Sequence, residues 1–385
     1  MNLNDYFDPV SLEKPGQTFI PPDLTFSRKI TINTPDLPIS NIESFDLAIM
    51  GIPEEKNASV KGVAQAPNCV REQLYQLSSV NRKTRIIDLG NLKITQNIND
   101  TYFAVRDIIQ HLESHSVVPV LIGGSQDLTF AMDIAFLSSP YYYHLLTIDN
   151  RIDMGYKDKT TTSRNFLETV LQNKDPKLFN YTNLGHQIYF THSKILDSLE
   201  KKGFDSIRLG VIRNNLSEIE PVLRDATVVS LDMSCVRQSD APGVAIPSPN
   251  GFFGHEICQL SRYAGSASNL KAFGIFELCP ANDPSMNTSQ LAAQIIWYFI
   301  DGFSLKIKED PQTGSSKKFI IHLNSISQDI AFFKSLKTER WWIEMPFINP
   351  LTSMNYLIPC SLSDYQMACN NEIPDRWWKA FHRLS

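Results

Sequence analysis

The chain has 385 residues with 36 Lys and Arg against 41 Asp and Glu, a formal net charge of −5 and a pI near 5.9. No basic stripe stands out, which argues against a nucleic-acid binder. No run approaches the roughly 20 apolar residues that a membrane helix needs. A hydrophobic content of 42% and a charged content of 20% are ordinary for a globular protein, and the length suits one large α/β domain or two smaller ones.

Residues 1–45, rich in Pro, Asn and Ser, read as an N-terminal arm. The opening "MNLNDYFDPVSLEKPG" lacks a basic end followed by an apolar core, so no signal peptide is expected. "DLAIMGIP" (46–53) is the first clear strand. "APNCVREQLYQLS" (66–78) reads as a helix with Pro67 in its first turn, and "INDTYFAVRDIIQHLES" (98–114) as an amphipathic helix. "SVVPVLIGGSQD" (116–127) is a buried strand ending in a double glycine. Strands are then expected in "YYYHLLTIDN", "HQIYF", "DSIRLGVI", "TVVSLDMS" and "LKAFGIFELCP", separated by helices in "SRNFLETVLQN", "SKILDSLEKKG", "LSEIEPVLRDA" and "GHEICQLSRYAGSA". "SQLAAQIIWYFIDGF" is the helix that closes the series.

Apolar strands alternating with helices predict an α/β fold whose mostly parallel sheet is covered on both faces. Ligands of such sheets sit beyond the carboxyl ends of the strands. The polar residues collect there: Ser125–Asp127, Asp149–Asp153, Asp232–Ser234 and Glu277. After residue 304 the composition changes, and 305–385, with its Trp341–Trp342 and Trp377–Trp378 pairs, reads as an extension packed on the domain at 46–304. Cys69, Cys235, Cys258, Cys279, Cys360 and Cys369 form no CxxC, which suits buried free thiols in the cytoplasm better than zinc or disulfides. His186, His192 and His255 are expected in structural roles, and Asp240–Gly243 as a loop shaper.

"MGIPEEKNASVKGVAQAPNCVREQL", "LIGGSQDLT", "LLTIDNRIDMG", "VVSLDMSCVRQSDAPGVAIPSPNGF" and "GIFELCPAND" occur in that order. Together they resemble the ureohydrolase family of arginase, agmatinase and formimidoylglutamase, in its formimidoylglutamase-like branch. The resemblance implies a three-layer α/β/α arginase-like fold. It also implies a site for two Mn²⁺ ions sharing a hydroxide, which attacks a guanidino or formimino carbon. The implied ligands are a His from G-G-D-H, the Asp, His and Asp of D-A-H-x-D, and two Asp from D-x-D. Here those motifs read Gly123-Gly124-Ser125-Gln126, Asp149-Asn150-Arg151-Ile152-Asp153 and Asp232-Met233-Ser234. Asp149, Asp153 and Asp232 are kept, whereas Gln126, Arg151 and Ser234 stand at replaced ligand positions.

By the same resemblance, Arg164 stands where a proton-transfer His is found, and Glu277 where an acidic residue meets the substrate. These two are the only candidate catalytic residues. An arginine is always charged and can bridge carboxylates, so Arg151 is expected inside the site in place of one ion, neutralising Asp149 and Asp232. Three Asp and one Arg leave a charge of about −2, room for at most one hard cation such as Mn²⁺ or Mg²⁺ held by oxygen ligands. The bland alternative for Asp149 and Asp153 is the capping of a turn, and for Glu277 a partnership with Arg151 or Arg164.

Two readings follow. In the first, the dinuclear manganese chemistry is lost and the protein binds or scaffolds, as a homo-oligomer. In the second, it hydrolyses a linear amidine C–N bond with one metal ion or none. A small amidine or carboxylate is the expected ligand in either case, and no membrane or nucleic-acid partner is expected.

Overall fold

Strands rich in Val, Ile and Leu, each able to bury both faces, set the architecture. The computed structural model describes residues 1–11, 20–80, 84–155, 160–172, 177–312, 314–349 and 354–384. Residues 12–19 of the N-terminal arm and Asn173 of the helix expected over 163–173 lie outside them. Ten strands form the main sheet: β1 (Phe7–Asp8), β2 (Thr31–Ile32), β3 (Leu47–Ile52), β4 (Ile86–Leu92), β5 (Val118–Gly123), β6 (Tyr143–Ile148), β7 (Leu178–His186), β8 (Asp205–Arg208), β9 (Val228–Asp232) and β10 (Ala272–Phe276). The order is β1-β4-β3-β5-β10-β9-β6-β7-β8, with β2 also on β4. Only β1 runs antiparallel to its neighbour.

Successive strand residues point to opposite faces, and the two layers of core divide accordingly. Ile49, Val120, Leu146, Val229 and Phe273 pack with Val70, Ile257, Leu260, Ile295 and Phe299 from the helices Ala66–Leu74, Gly254–Gly265 and Asn287–Ser304. Ala48, Met50, Leu121, Leu145 and Val228 face the other way, onto Val105, Ile109, Met132 and Leu167 of the helices Ile98–Ser114, Leu128–Ile134 and Phe166–Leu171. The fold is therefore the three-layer α/β/α arrangement.

Two strand expectations need correction. "HQIYF" contributes only His186; the strand is the preceding β7, and Ile188 and Tyr189 lie in an exposed loop. Asn180, Thr182 and Asn183 are buried in β7, so polar side chains hid a core strand from an apolar-run reading. "DSIRLGVI" is a strand only over β8, and Leu209–Asn214 is helical. The strand β4, "IIDLGNL", was not anticipated. All six cysteines are free, but Cys69 is half-buried and Cys369 exposed, against the expectation of burial.

Residues beyond 304 build a second core. The strands β11 (Ser316–Leu323), β12 (Gln328–Ser335), β13 (Trp341–Asn349) and β14 (Met354–Cys360) form an antiparallel sheet in that order. Phe332, Trp341, Ile343 and Met345 pack beneath Trp377 and Ala380 of the helix Asp375–Leu384. Buried Arg224 ties this unit to the main domain: Nη2 donates to the carbonyls of Trp341 (3.1 Å) and Cys360 (3.3 Å), and the guanidinium lies 4.5 Å from the Trp342 ring centroid. No helix among the described residues is long and apolar enough to cross a membrane.

Trp377 is 2% exposed and stacks on Phe381. Trp377→Ala should destabilise the C-terminal unit by about 3–5 kcal/mol, read by circular dichroism during urea unfolding. A loss under about 1 kcal/mol would show that the tail core is not built around this ring.

Candidate functional site

The candidate residues leave the carboxyl ends of four consecutive strands, β5, β10, β9 and β6. Beyond β5 the chain passes so close to β3 that a Cβ on Gly124 would lie 1.8 Å from the Glu54 carbonyl oxygen, so only glycine fits. This close passage turns Gln126 inward. Its backbone N–H donates to Glu277 Oε1 at 2.8 Å. Glu277, just after β10, is buried and has φ +64°, a left-handed conformation that a non-glycine residue holds only when its surroundings enforce it.

Asp149 and Asp153 follow β6, and Asp232 ends β9. One carboxylate oxygen from each lies within 4.8 Å of the others, and all three residues are buried. The side-chain amide of Gln126, oriented to satisfy its neighbours, enters their midst. Its nitrogen is 2.9 Å from Asp232 Oδ2, 2.9 Å from Asp153 Oδ2 and 3.3 Å from Asp149 Oδ2. Asp149 Oδ1 also accepts from the Arg151 backbone N–H (3.0 Å), and Asp232 Oδ1 from the Ser234 backbone N–H (2.6 Å). Ser234 meets Asp232 through both its backbone N–H and its side chain, and its carbonyl accepts from Asn150 Nδ2 at 2.6 Å.

Burial pushes all three aspartates up. Asp153 and Asp232 stand well above the usual carboxylate range because Asp149 adds like charge to the desolvation. Asp149 is also raised, against the opposing pull of its hydrogen bonds. Burial likewise lifts Glu277 to about 7, opposed by the Gln126 N–H. Burial and like charge set these directions, and a positive charge among the three carboxylates would oppose them.

Arg151 does not supply that charge. Its guanidinium lies 4.5 Å from the Phe190 ring centroid, and it forms no ion pair with a carboxylate among the described residues. The exposed Ile188-Tyr189-Phe190 loop offers a cation–π seat at the rim, and Arg151 eases the ionisation of Asp149 only secondarily. The expected internal cation is thus replaced by a neutral amide. Arg164, through Nε, donates to Ser59 Oγ at 3.0 Å, and its charge favours ionisation of Asp153 and Glu277. Arg151, Arg164, Asp153, Asp232, Ser234 and Glu277 line a cavity of only about 10 Å³, the size of one water.

Supporting groups surround the cluster, Ser125 and Asp127 among the polar residues expected at the strand ends and Tyr102 and Asn183 not anticipated. Asp127 is buried and accepts from Tyr102 Oη and Ser125 Oγ. Asn183 of β7 donates to the Arg151 carbonyl at 2.9 Å, fixing the loop after β6. Its signal was a polar residue within a strand. His111 and His115, which the sequence analysis did not single out, lie one helical turn apart with ring centroids 4.6 Å apart. His192 caps a helix by accepting from the Lys194 N–H, and His255 stacks on Phe253. His186 is buried with Nδ1 unpartnered among the described residues, so the satisfied role expected for it is incomplete.

A sequence model described as the arginase family matches residues 45–301. The chain is 24% identical over 284 residues to a formimidoylglutamase of Bacillus subtilis, covering 67% of this chain and 87% of the relative. The crystal structure of the B. subtilis formimidoylglutamase superposes with a TM-score of 0.65 at 22% identity, covering 77% of this chain and 97% of that one. Trypanosoma cruzi formiminoglutamase, solved with Mn²⁺, gives 0.65 at 18% identity, covering 70% and 97%. A family match over two-thirds of the length, on a parallel sheet carrying its acidic residues at the carboxyl ends of the strands, makes this chain a member of the arginase family.

Proposed function

We propose that this protein is a family member that has lost dinuclear hydrolysis and acts by binding or scaffolding. The observation that carries the reading is the Gln126 amide nitrogen among Asp149, Asp153 and Asp232. The donor set does not fit two ions. A dinuclear centre spaces its metals about 3.5–4 Å apart, each with its own ligands. Three aspartates and an amide, with a neutral serine and a cationic arginine at the other two positions, cannot furnish that. The set does fit one hard cation. Oxygens within 4.8 Å of one another can share an ion at about 2.0–2.6 Å each. The Gln126 amide, turned over, would then present its oxygen as a fourth ligand.

The same three oxygens favour a second reading, a hydrolase of linear amidine C–N bonds that uses one ion. There Glu277 would hold the substrate and Arg164 would grip a substrate carboxylate. The two readings share a small amidine or carboxylate as ligand. Homo-oligomeric assembly and a cytoplasmic location rest on the family resemblance and on the free cysteines.

Two measurements test the site assignment. The combined reversion Gln126→His, Arg151→His and Ser234→Asp should raise Mn²⁺ affinity at least tenfold by calorimetry, about 1.4 kcal/mol or more. Unchanged affinity would overturn the ligand mapping. The second concerns pH. Glu277 binds its proton more tightly folded than unfolded, so the folded state carries the extra proton between about pH 4.5 and 7. Stability from this group is therefore complete below pH 4.5 and is lost as pH rises through 7. In chelator, Glu277→Gln should gain roughly 1–3 kcal/mol over the unmodified protein at pH 8 and nothing at pH 4. Equal differences at both pH values would contradict the shift.

A further inference from the structure

The stretch "HLESH" (111–115) closes the helix Ile98–Ser114, and the turn after it feeds β5. Side chains four residues apart on a helix stand over one another, the spacing at which two histidines share a metal ion. His111 lies in the last turn, and His115 is the residue that caps it. Both are partly exposed, so an ion can reach them from solvent. They stand ahead of the amino end of β5, whereas Gln126 and the aspartates follow the carboxyl ends of their strands. The pair takes no part in that site.

The hydrogen bonds around His115 decide which of its nitrogens is free. Nδ1 is 2.8 Å from the His111 carbonyl oxygen, which can only accept, so Nδ1 carries the proton. Ser114 Oγ, 3.1 Å from the same nitrogen, gives its own proton to that carbonyl at 2.7 Å. The neutral ring therefore keeps its lone pair on Nε2. A ring N–H donated to a backbone carbonyl is the arrangement that orients metal-binding imidazoles. No hydrogen bond engages the His111 ring among the described residues, so this ring is free to turn about χ2. Burial and the His115 ring hold His111 below the usual histidine range, which leaves its imidazole neutral at pH 7.

The spacing of the rings suits a shared ion. With metal–nitrogen bonds of about 2.0–2.1 Å, and roughly 1.1 Å from nitrogen to ring centre, the ion lies about 3.2 Å from each centroid. Centroids 4.6 Å apart then subtend about 90° at the ion, the angle between neighbouring positions of the tetragonal geometry of Cu²⁺ and Ni²⁺.

We propose that His111 and His115 form a site for a borderline divalent ion of the Ni²⁺ and Cu²⁺ class, held by His115 Nε2 and a His111 ring nitrogen, with water completing the shell. Imidazole donors select such ions over the hard Mg²⁺ and Mn²⁺ that suit carboxylate oxygens, so this site and the aspartate cluster take different metals. The ion ties the last helical turn to its cap, just ahead of Ser116, whose φ of +61° is left-handed.

Ni²⁺ is the probe, added to the full chain in excess Mg²⁺ so that oxygen sites are already occupied. Calorimetric titration should give saturable binding with a Kd of about 100 μM or tighter. His111→Gln and His115→Gln should each weaken it at least tenfold. A second readout needs no variant to fold. In the unaltered chain, Ni²⁺ should protect His111 and His115 from diethyl pyrocarbonate, as measured by peptide mass spectrometry. Absence of saturable Ni²⁺ binding, a loss below tenfold in either folded variant, or protection that misses these two histidines would overturn the proposal.

Discussion

The convergence of three buried aspartates at the ends of adjacent parallel strands is the constraint around which this protein is arranged. Carboxylates this close and this buried cannot all ionise without a counter-charge. An arginase-family site meets that demand with metal ions. Here the group among the acids is the neutral amide of Gln126, which donates hydrogen bonds but brings no charge. Burial and mutual repulsion push the carboxyls of Asp153 and Asp232 up, and burial does the same to Glu277 next to them.

The basic residues stay at the edge. Arg151 stacks on Phe190 and Arg164 donates to Ser59, so both shape the potential at the mouth of the cleft and leave its floor acidic. Hydrogen bonds from Asn150, Asn183, Tyr102 and Ser125 hold the loops around the floor.

Much of this was legible in the sequence. The apolar strands and amphipathic helices announced the layered fold, and the resemblance to the ureohydrolase motifs pointed to Asp149, Asp153 and Asp232, which the fold brings together. The strand β7 escaped because Asn180, Thr182 and Asn183 are polar yet buried, bonded in part to His144, Thr147 and Arg151, which are distant in sequence. Arg151 was misplaced for a related reason. Sequence gives its position two residues from Asp149 but not the ring of Phe190, which the loop after β7 brings to it. Gln126, read only as a replaced ligand, proved central because its amide reaches carboxylates 23 to 106 residues further along the chain. The sheet of the C-terminal unit lay beyond a reading that registered only its tryptophans.

The most direct test of the account is the metal content of the unaltered chain, measured by elemental mass spectrometry after incubation with excess Mn²⁺ and desalting. The donor set described here predicts no more than one ion per chain. Two ions per chain would contradict it, and would mean that the Gln126 amide yields its place to a working dinuclear centre.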